Sequence, residues 1–325
     1  MRVLVLGGTT FIGRRIVEKL HERGDQVLVV HRGRHRPRLW VPVDHLLTDR
    51  QQLARHADAV RDFAPQAVID TFALTGRDVT SVLEVLPEVP AVVLSSQDVY
   101  QAVTAFRAGR CDAPVPLDEN SELRRDRYPY KDLGGAEIPA DYDKLDVEDA
   151  WLARGAVALR LPMVYGPFDP QRREDAVLRR LRAGRNQVPV GAGNLLWTRG
   201  HVEDIADGVL AAVGTREADG LAINLGERQS VPVLTWFEQI AQAADAQVEF
   251  VRVPEQALPP DLAITRAPSQ HLLASVARAE ELLGWAPPDS QQRVVESVRW
   301  HLDNPPVQAW TPEDDAADSA ALRTI

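Results

Sequence analysis

Apolar positions along the chain fall into short unbroken runs separated by longer amphipathic stretches. Residues 3–6, 26–30, 67–70, 91–94 and 156–161 are mostly aliphatic and β-branched with no regular polar alternation, which suits parallel strands covered on both faces. Between them the period changes to that of helices. Residues 14–23 follow Ile12 and place Ile16, Val17 and Leu20 on one stripe that Gly24 ends; residues 51–63 and 76–86 repeat the pattern. Such alternation predicts an α/β fold, a doubly wound parallel sheet. Ligands bind such sheets at the carboxyl ends of the strands, which nominates Asp49, Asp70, Thr71 and the serines 95 and 96. Each acid has a second reading as a helix cap or loop residue.

The later chain is less regular. Residues 101–140 are rich in charge, proline and glycine and read as a long loop over the mouth of a site. A helix opens at Asp141, its expected cap, and runs to about Leu152. Residues 172–182 form a basic helical stretch in which Arg179, Arg180 and Arg182 read as a solvated face. Residues 232–244 carry a core stripe of Val233, Trp236, Phe237 and Ile240. Residues 254–268 read as loop, 276–283 and 293–302 as helices, and 311–325 as a mobile acidic, alanine-rich tail.

The join between the first strand and the first helix carries the clearest chemistry. Gly7-Gly-Thr-Thr-Phe-Ile-Gly13 lets the backbone turn sharply and approach a ligand, while the following helix offers free N–H groups and the positive end of its dipole to a pyrophosphate. With the second strand it forms a βαβ unit of about thirty residues, the setting in which such a motif means dinucleotide binding. The competing reading is a plain glycine turn. Spaced as Gly-x-x-Gly-x-x-Gly, the motif has Thr10 where a glycine is usual; its hydroxyl still suits a phosphate, although its side chain narrows the approach.

Composition sharpens this picture in two places. The 325 residues carry a formal net charge of −10, which argues against nucleic acid as a general partner. Against that background His31-Arg-Gly-Arg-His-Arg-Pro-Arg38 puts four arginines after the second strand, and no Asp or Glu occupies positions 29–36. An acid there would take the 2′-hydroxyl of NAD, whereas arginine holds the 2′-phosphate of NADP. NADP(H) is therefore the expected cofactor and NAD the alternative, with Arg32 foremost and Arg34 and Arg36 in support. A solvated basic loop is the other reading. No apolar run reaches the roughly 18 residues of a membrane span. The single Cys111 rules out an internal disulfide and fits a cytoplasmic location. No metal-ligand spacing is present, and a homodimer remains open.

Five segments in order resemble the extended short-chain dehydrogenase/reductase superfamily, its NAD-dependent epimerase/dehydratase family: 7–13, Ser95-Ser-Gln-Asp-Val-Tyr100, Lys144-x-x-x-Glu148, Arg160-Leu-Pro-Met-Val-Tyr-Gly-Pro167 and Arg199-Gly-His-Val-Glu-Asp-Ile-Ala206. Ile223-Asn-Leu-Gly226 and Leu282-Leu-Gly-Trp-Ala-Pro287 resemble its later landmarks. The resemblance implies a Rossmann domain (1–168 and 200–228) interleaved with a smaller C-terminal substrate-binding lobe (169–199 and 229–310). It implies a cofactor held by Gly7, Thr9, Thr10, Phe11, Ile12 and Gly13, then by Asp49, Thr71, Lys144, Pro162 and Val164. It makes Ser96, a tyrosine and Lys144 the reacting set, with Gln97 and Arg199 facing a small-molecule substrate; His201 reads as a packing residue. The family's Tyr-x-x-x-Lys is absent, since Ala140 stands four before Lys144 and the nearest tyrosine is Tyr142. Spacing of two separates side chains on a helix by about 200°. Either residues 140–143 are not helical and Tyr142 turns inward, or another group supplies the proton. Three functions follow: an NADP(H)-dependent oxidoreductase acting on a carbonyl or secondary alcohol of a bulky substrate, an epimerase or dehydratase of a nucleotide sugar with retained NAD, or a non-catalytic dinucleotide- or RNA-binding relative.

Overall fold

The structure is a computed structural model, and it describes residues 1–33, 41–132 and 138–325. Arg34 and Arg36 lie outside the described residues. The first half alternates strand and helix as expected: β1 (Arg2–Leu6), α1 (Phe11–Glu22), β2 (Gln26–His31), β3 (Asp44–Leu47), α2 (Ala57–Phe63), β4 (Ala67–Asp70), α3 (Gly76–Leu83) and β5 (Ala91–Ser96). Then come α4 (Gln101–Arg107), α5 (Lys144–Leu152), β6 (Val157–Leu161), β7 (Met163–Tyr165), α6 (Asp175–Arg182), β8 (Gln187–Val190), β9 (Arg199–His201), α7 (Val202–Gly214) and β10 (Ala222–Asn224). The chain closes with α8 (Val233–Ala243), β11 (Glu249–Arg252), α9 (Ala277–Leu283), α10 (Ser290–Asp303) and α11 (Pro312–Leu322).

Seven strands form one parallel sheet in the order β10-β6-β5-β4-β1-β2-β3. Chain direction across the sheet reverses between β1 and β4, the crevice where doubly wound folds seat their ligands. Apolar strands are required because both faces are covered. Val3, Val5 and Ile69 pack on one side with Ile16, Val17 and Leu20 of α1 and with α7, whereas Leu4, Leu6 and Val68 pack on the other with Val79, Val147 and Trp151. A second core lies beside the sheet, built from β7, α6, β8, α8, α10 and α11 around Trp236 and Phe237.

Several expectations are corrected. The stretch 51–63 is a 3-10 turn (Arg50–His56) followed by α2, and residues 101–107 are helical rather than loop. Of the basic residues of α6, Arg182 is exposed and Arg179 half-buried, but Arg180 is turned inward: it is 1% exposed and makes paired hydrogen bonds to Asp318 (2.8 and 2.7 Å) and to Asp261 (2.7 and 3.1 Å). The same arginine joins α6 to the residues expected as a tail. Residues 312–322 form a helix with a Thr311–Asp314 capping box, docked by the buried Asp318 and Ala321.

Candidate active site at the carboxyl edge of the sheet

The turn after β1 is built from two left-handed glycines, Gly7 at φ +97° and Gly8 at φ +88°, a conformation costly for any residue with a Cβ. Gly8 is the glycine that the spacing Gly7–Thr10–Gly13 misses; the doublet directly after a strand was the available signal. A Cβ on Gly13 would stand 2.9 Å from the Cα and N of Gly8, so the third glycine lets α1 lie on the turn. Thr10 is the extended N-cap of α1, yet it makes no side-chain cap, and the first turn holds no acid. Phe11 opens the helix at φ +41°. Thr9 and Ile12 are half-buried and Thr10 is exposed. An uncapped helix start beside a glycine turn at the sheet's reversal point fits a dinucleotide's diphosphate.

Thr71 locks this corner rather than reaching outward: its amide and its hydroxyl both donate to the Leu6 carbonyl, at 3.0 and 2.9 Å. Asp70 is buried in a bidentate pair with Arg50 (3.1 and 2.6 Å) and also accepts from Trp151 Nε1. Asp49 is half-buried and caps the following 3-10 turn through the Gln51 amide at 3.0 Å. Arg32 is exposed at the end of β2.

The reacting set gathers beyond β5. Asp143, not Asp141, caps α5, so the helix begins at Lys144 and Tyr142 lies outside it. Asp143 is fixed there by Arg124, by Arg127 Nε at 2.7 Å and by the Tyr128 and Leu145 amides; against its burial these partners hold its carboxyl down at about 2. Freed from the helix, Tyr142 sends its hydroxyl to Asp98 Oδ2 at 2.9 Å. Asp98 in turn donates its amide to Ser96 Oγ at 3.1 Å. Ser96 and Tyr142 are therefore both tied to Asp98, the serine to its amide and the phenol to its carboxylate. Burial raises Asp98, against the pull of Tyr142, Arg124, Lys144 and Arg107, and burial beside Asp98 raises Tyr142. Lys144 is buried and donates to the carbonyls of Ala73 (2.6 Å) and Leu94 (2.9 Å). It sits between the ends of β4 and β5, its burial working against the ammonium form.

Two expected substrate contacts are turned inward. Gln97 is 6% exposed, and its amide donates to the carbonyls of Leu225 (3.2 Å) and Arg160 (3.5 Å), tying the strand ends together. Arg199 is buried over the Trp236 ring and 3.7 Å from Glu227, which accepts from Tyr165 at 2.8 Å. Pro162 is half-buried and Val164 belongs to the core. His201 caps α7 through the Glu203 amide. The Glu148 of Lys-x-x-x-Glu is structural: it receives Ser95 at 2.5 Å and Arg160 at 3.0 and 2.8 Å.

The chain resembles known proteins in sequence and fold. The model of the NAD dependent epimerase/dehydratase family matches residues 3–226. The chain is 28% identical over 309 residues to 3-diazoavenalumate denitrifying reductase of a Streptomyces species, covering 88% of this chain and 96% of that one. It is 26% identical to 2'-dehydrokanamycin reductase of Streptomyces kanamyceticus (79% and 70% covered). It is 24% identical to the chloroplast stem-loop binding protein of 41 kDa b of Arabidopsis thaliana (88% and 75%). The fold superposes on dTDP-glucose 4,6-dehydratase from Bacillus anthracis, solved in complex with NAD, with a TM-score of 0.71 at 16% identity, covering 94% of this chain and 97% of that one. With its seven-stranded sheet, glycine turn and family match across most of its length, this chain belongs to the NAD-dependent epimerase/dehydratase family.

Proposed function

We propose that the protein is an NADP(H)-dependent oxidoreductase that interconverts a carbonyl and a secondary alcohol on a bulky small molecule. A nicotinamide bound at the carboxyl edge supplies or accepts the hydride. The observation that carries the reading is that Ser96 and Tyr142 are both hydrogen-bonded to Asp98, through its amide and its carboxylate, at the end of β5, whose Leu94 carbonyl holds the buried Lys144, in a fold whose α1 starts uncapped after the glycine turn. Ser96 Oγ accepts from the Asp98 amide, which leaves its hydrogen for a substrate oxygen. The Tyr142 hydroxyl exchanges a proton with that oxygen, and Lys144 supplies positive charge beneath the ribose side. Arg32, exposed where the adenosine ribose would lie, and the absence of an acid at positions 29–33 support NADP(H) over NAD. Two of the curated relatives bear reductase names. The net charge of −10 weighs against nucleic acid as a partner.

The test is NADPH consumption against a panel of ketones and aldehydes, with Tyr142→Phe beside the wild type. The account expects turnover on at least one carbonyl and a loss of about 10²-fold or more in the variant. Turnover that Tyr142→Phe leaves unchanged removes the tyrosine from the chemistry.

A further inference from the structure

We propose that Asp98 is the proton reservoir behind Tyr142, exchanging a proton with the phenol as the phenol exchanges one with the substrate oxygen. The inference rests on the oxidoreductase reading and deepens it. Oδ2 of Asp98 accepts from two phenols, Tyr142 at 2.9 Å and Tyr130 at 3.2 Å. Oδ1 is buried with no partner among the described residues. The Tyr130 ring stands edge-on to Tyr142, centroids 4.9 Å apart, and Arg107 bonds its hydroxyl and covers its face. The carboxyl is thus held in one geometry against the Tyr142 phenol.

The need for a second group follows from where Tyr142 comes from. A tyrosine one helical turn before Lys144 would share the ammonium's face, but position 140 is alanine. Tyr142 enters from the segment before the cap and faces a carboxylate, whose charge opposes phenolate formation. A phenol in that setting holds no charge in the neutral range, so a proton arriving on one side must leave on the other. In the alcohol-to-carbonyl direction, the substrate O–H bond breaks and its proton joins the Tyr142 oxygen. The Tyr142 O–H bond breaks in the same event and its proton joins Asp98 Oδ2. The electron pair left on the substrate oxygen becomes the C=O π bond as the carbon gives up hydride. Carbonyl reduction is the reverse, and solvent restores the proton to Asp98. The charged and titratable groups facing Asp98 are Lys144 at the start of α5, Tyr142, Tyr130 and Arg124 from the segment before it, and Arg107 from α4.

The experiment pairs two readouts. In protein labelled with ¹³C at aspartate Cγ, NMR follows the Asp98 titration, with D98N assigning the resonance. In parallel, the pH dependence of NADPH-linked reduction of an active aromatic ketone is recorded. Reduction needs protonated Asp98, so the rate falls as pH rises through the Asp98 midpoint, and the two curves coincide. Tyr130→Phe removes one hydrogen bond that favours the carboxylate, so midpoint and rate limb both move up by about one pH unit. A purely structural Asp98 would let the NMR midpoint move while the rate limb stayed. That result, or an Asp98 that titrates like an exposed aspartate, overturns the relay alone. Absence of turnover on every carbonyl, with the NMR coupling intact, overturns the oxidoreductase reading and the relay's catalytic role with it.

Discussion

Gly13→Ala separates the two duties of the glycine turn. The new Cβ would stand 2.9 Å from Gly8 Cα and N and 3.0 Å from Thr71 Oγ1, where carbon atoms ordinarily approach to about 3.5–4.0 Å. Neither neighbour can yield: Gly8 is backbone, and Thr71 is tied to Leu6. Helix α1 must therefore withdraw by roughly 0.5–1 Å, an overpacking that costs about 1–3 kcal/mol. Gly24→Ala is the matched control. Its Cβ would meet nothing within 4 Å, but its φ is +86°, so the cost there is about 1–2 kcal/mol of backbone strain. Urea denaturation should thus show comparable losses in the two variants. NADPH titration, followed by nucleotide fluorescence in buffer where both remain folded, should part them. Gly13→Ala should bind at least about tenfold more weakly, some 1.4 kcal/mol, because the amides of the first turn no longer meet the diphosphate. Gly24→Ala should bind as the wild type does. Equal affinity in Gly13→Ala, or an equal loss in both, refutes the assignment of that helix start to the diphosphate.

Three further outcomes follow from the same structure. Arg32→Glu should weaken NADPH binding by about tenfold or more while leaving NADH unchanged or improved, measured by competing titrations; unaltered selectivity assigns the phosphate to another group. Asp318→Asn leaves the buried Arg180 with Asp261 as its one carboxylate among the described residues, so stability should fall by about 3 kcal/mol, the lower end for a broken buried pair; an unmoved urea midpoint means α11 is not held by that pair. Burial, aided by Arg293, depresses His201 to about 4, below its usual 6.5 or so when unfolded. Its contribution is complete above the unfolded value and is lost as pH falls toward 4, up to about 3 kcal/mol. His201→Asn should flatten that part of the pH–stability curve, and a curve of unchanged slope would show that the imidazole takes up its proton alike in the folded and unfolded states.

How much was legible depended on whether a residue's role was set by local chain geometry. Bare apolar runs announced the parallel strands because a strand buried on both faces has no polar alternation to show. The glycine turn and the helix that follows were equally plain. The place of Tyr142 was readable as one of two alternatives, since an aspartate directly before Lys144 is itself a good cap and starts the helix too late to include the tyrosine. Other roles were set by partners far away in the chain. Gln97 looks like a polar residue at a ligand-facing edge, but its amide satisfies a carbonyl 128 residues on. Arg180 looks like one cation in a basic run, but Asp318, 138 residues later, makes it internal. Asp98 carried no motif of its own; only the arrival of two phenols on one oxygen marks it. For α11 a local signal was present, Thr311-Pro-Glu-Asp314, a capping box with proline in its first turn, and its acidic composition masked it.

The most direct test of the account is a crystal structure of the protein with NADPH and, where one is found, a carbonyl ligand. It predicts the diphosphate on the amides after Gly7 and Gly8, the ribose phosphate toward Arg32, and the nicotinamide facing an oxygen that both Ser96 and Tyr142 reach. A dinucleotide seated elsewhere, or a nicotinamide beyond hydride reach of any group held by Ser96 and Tyr142, would contradict it.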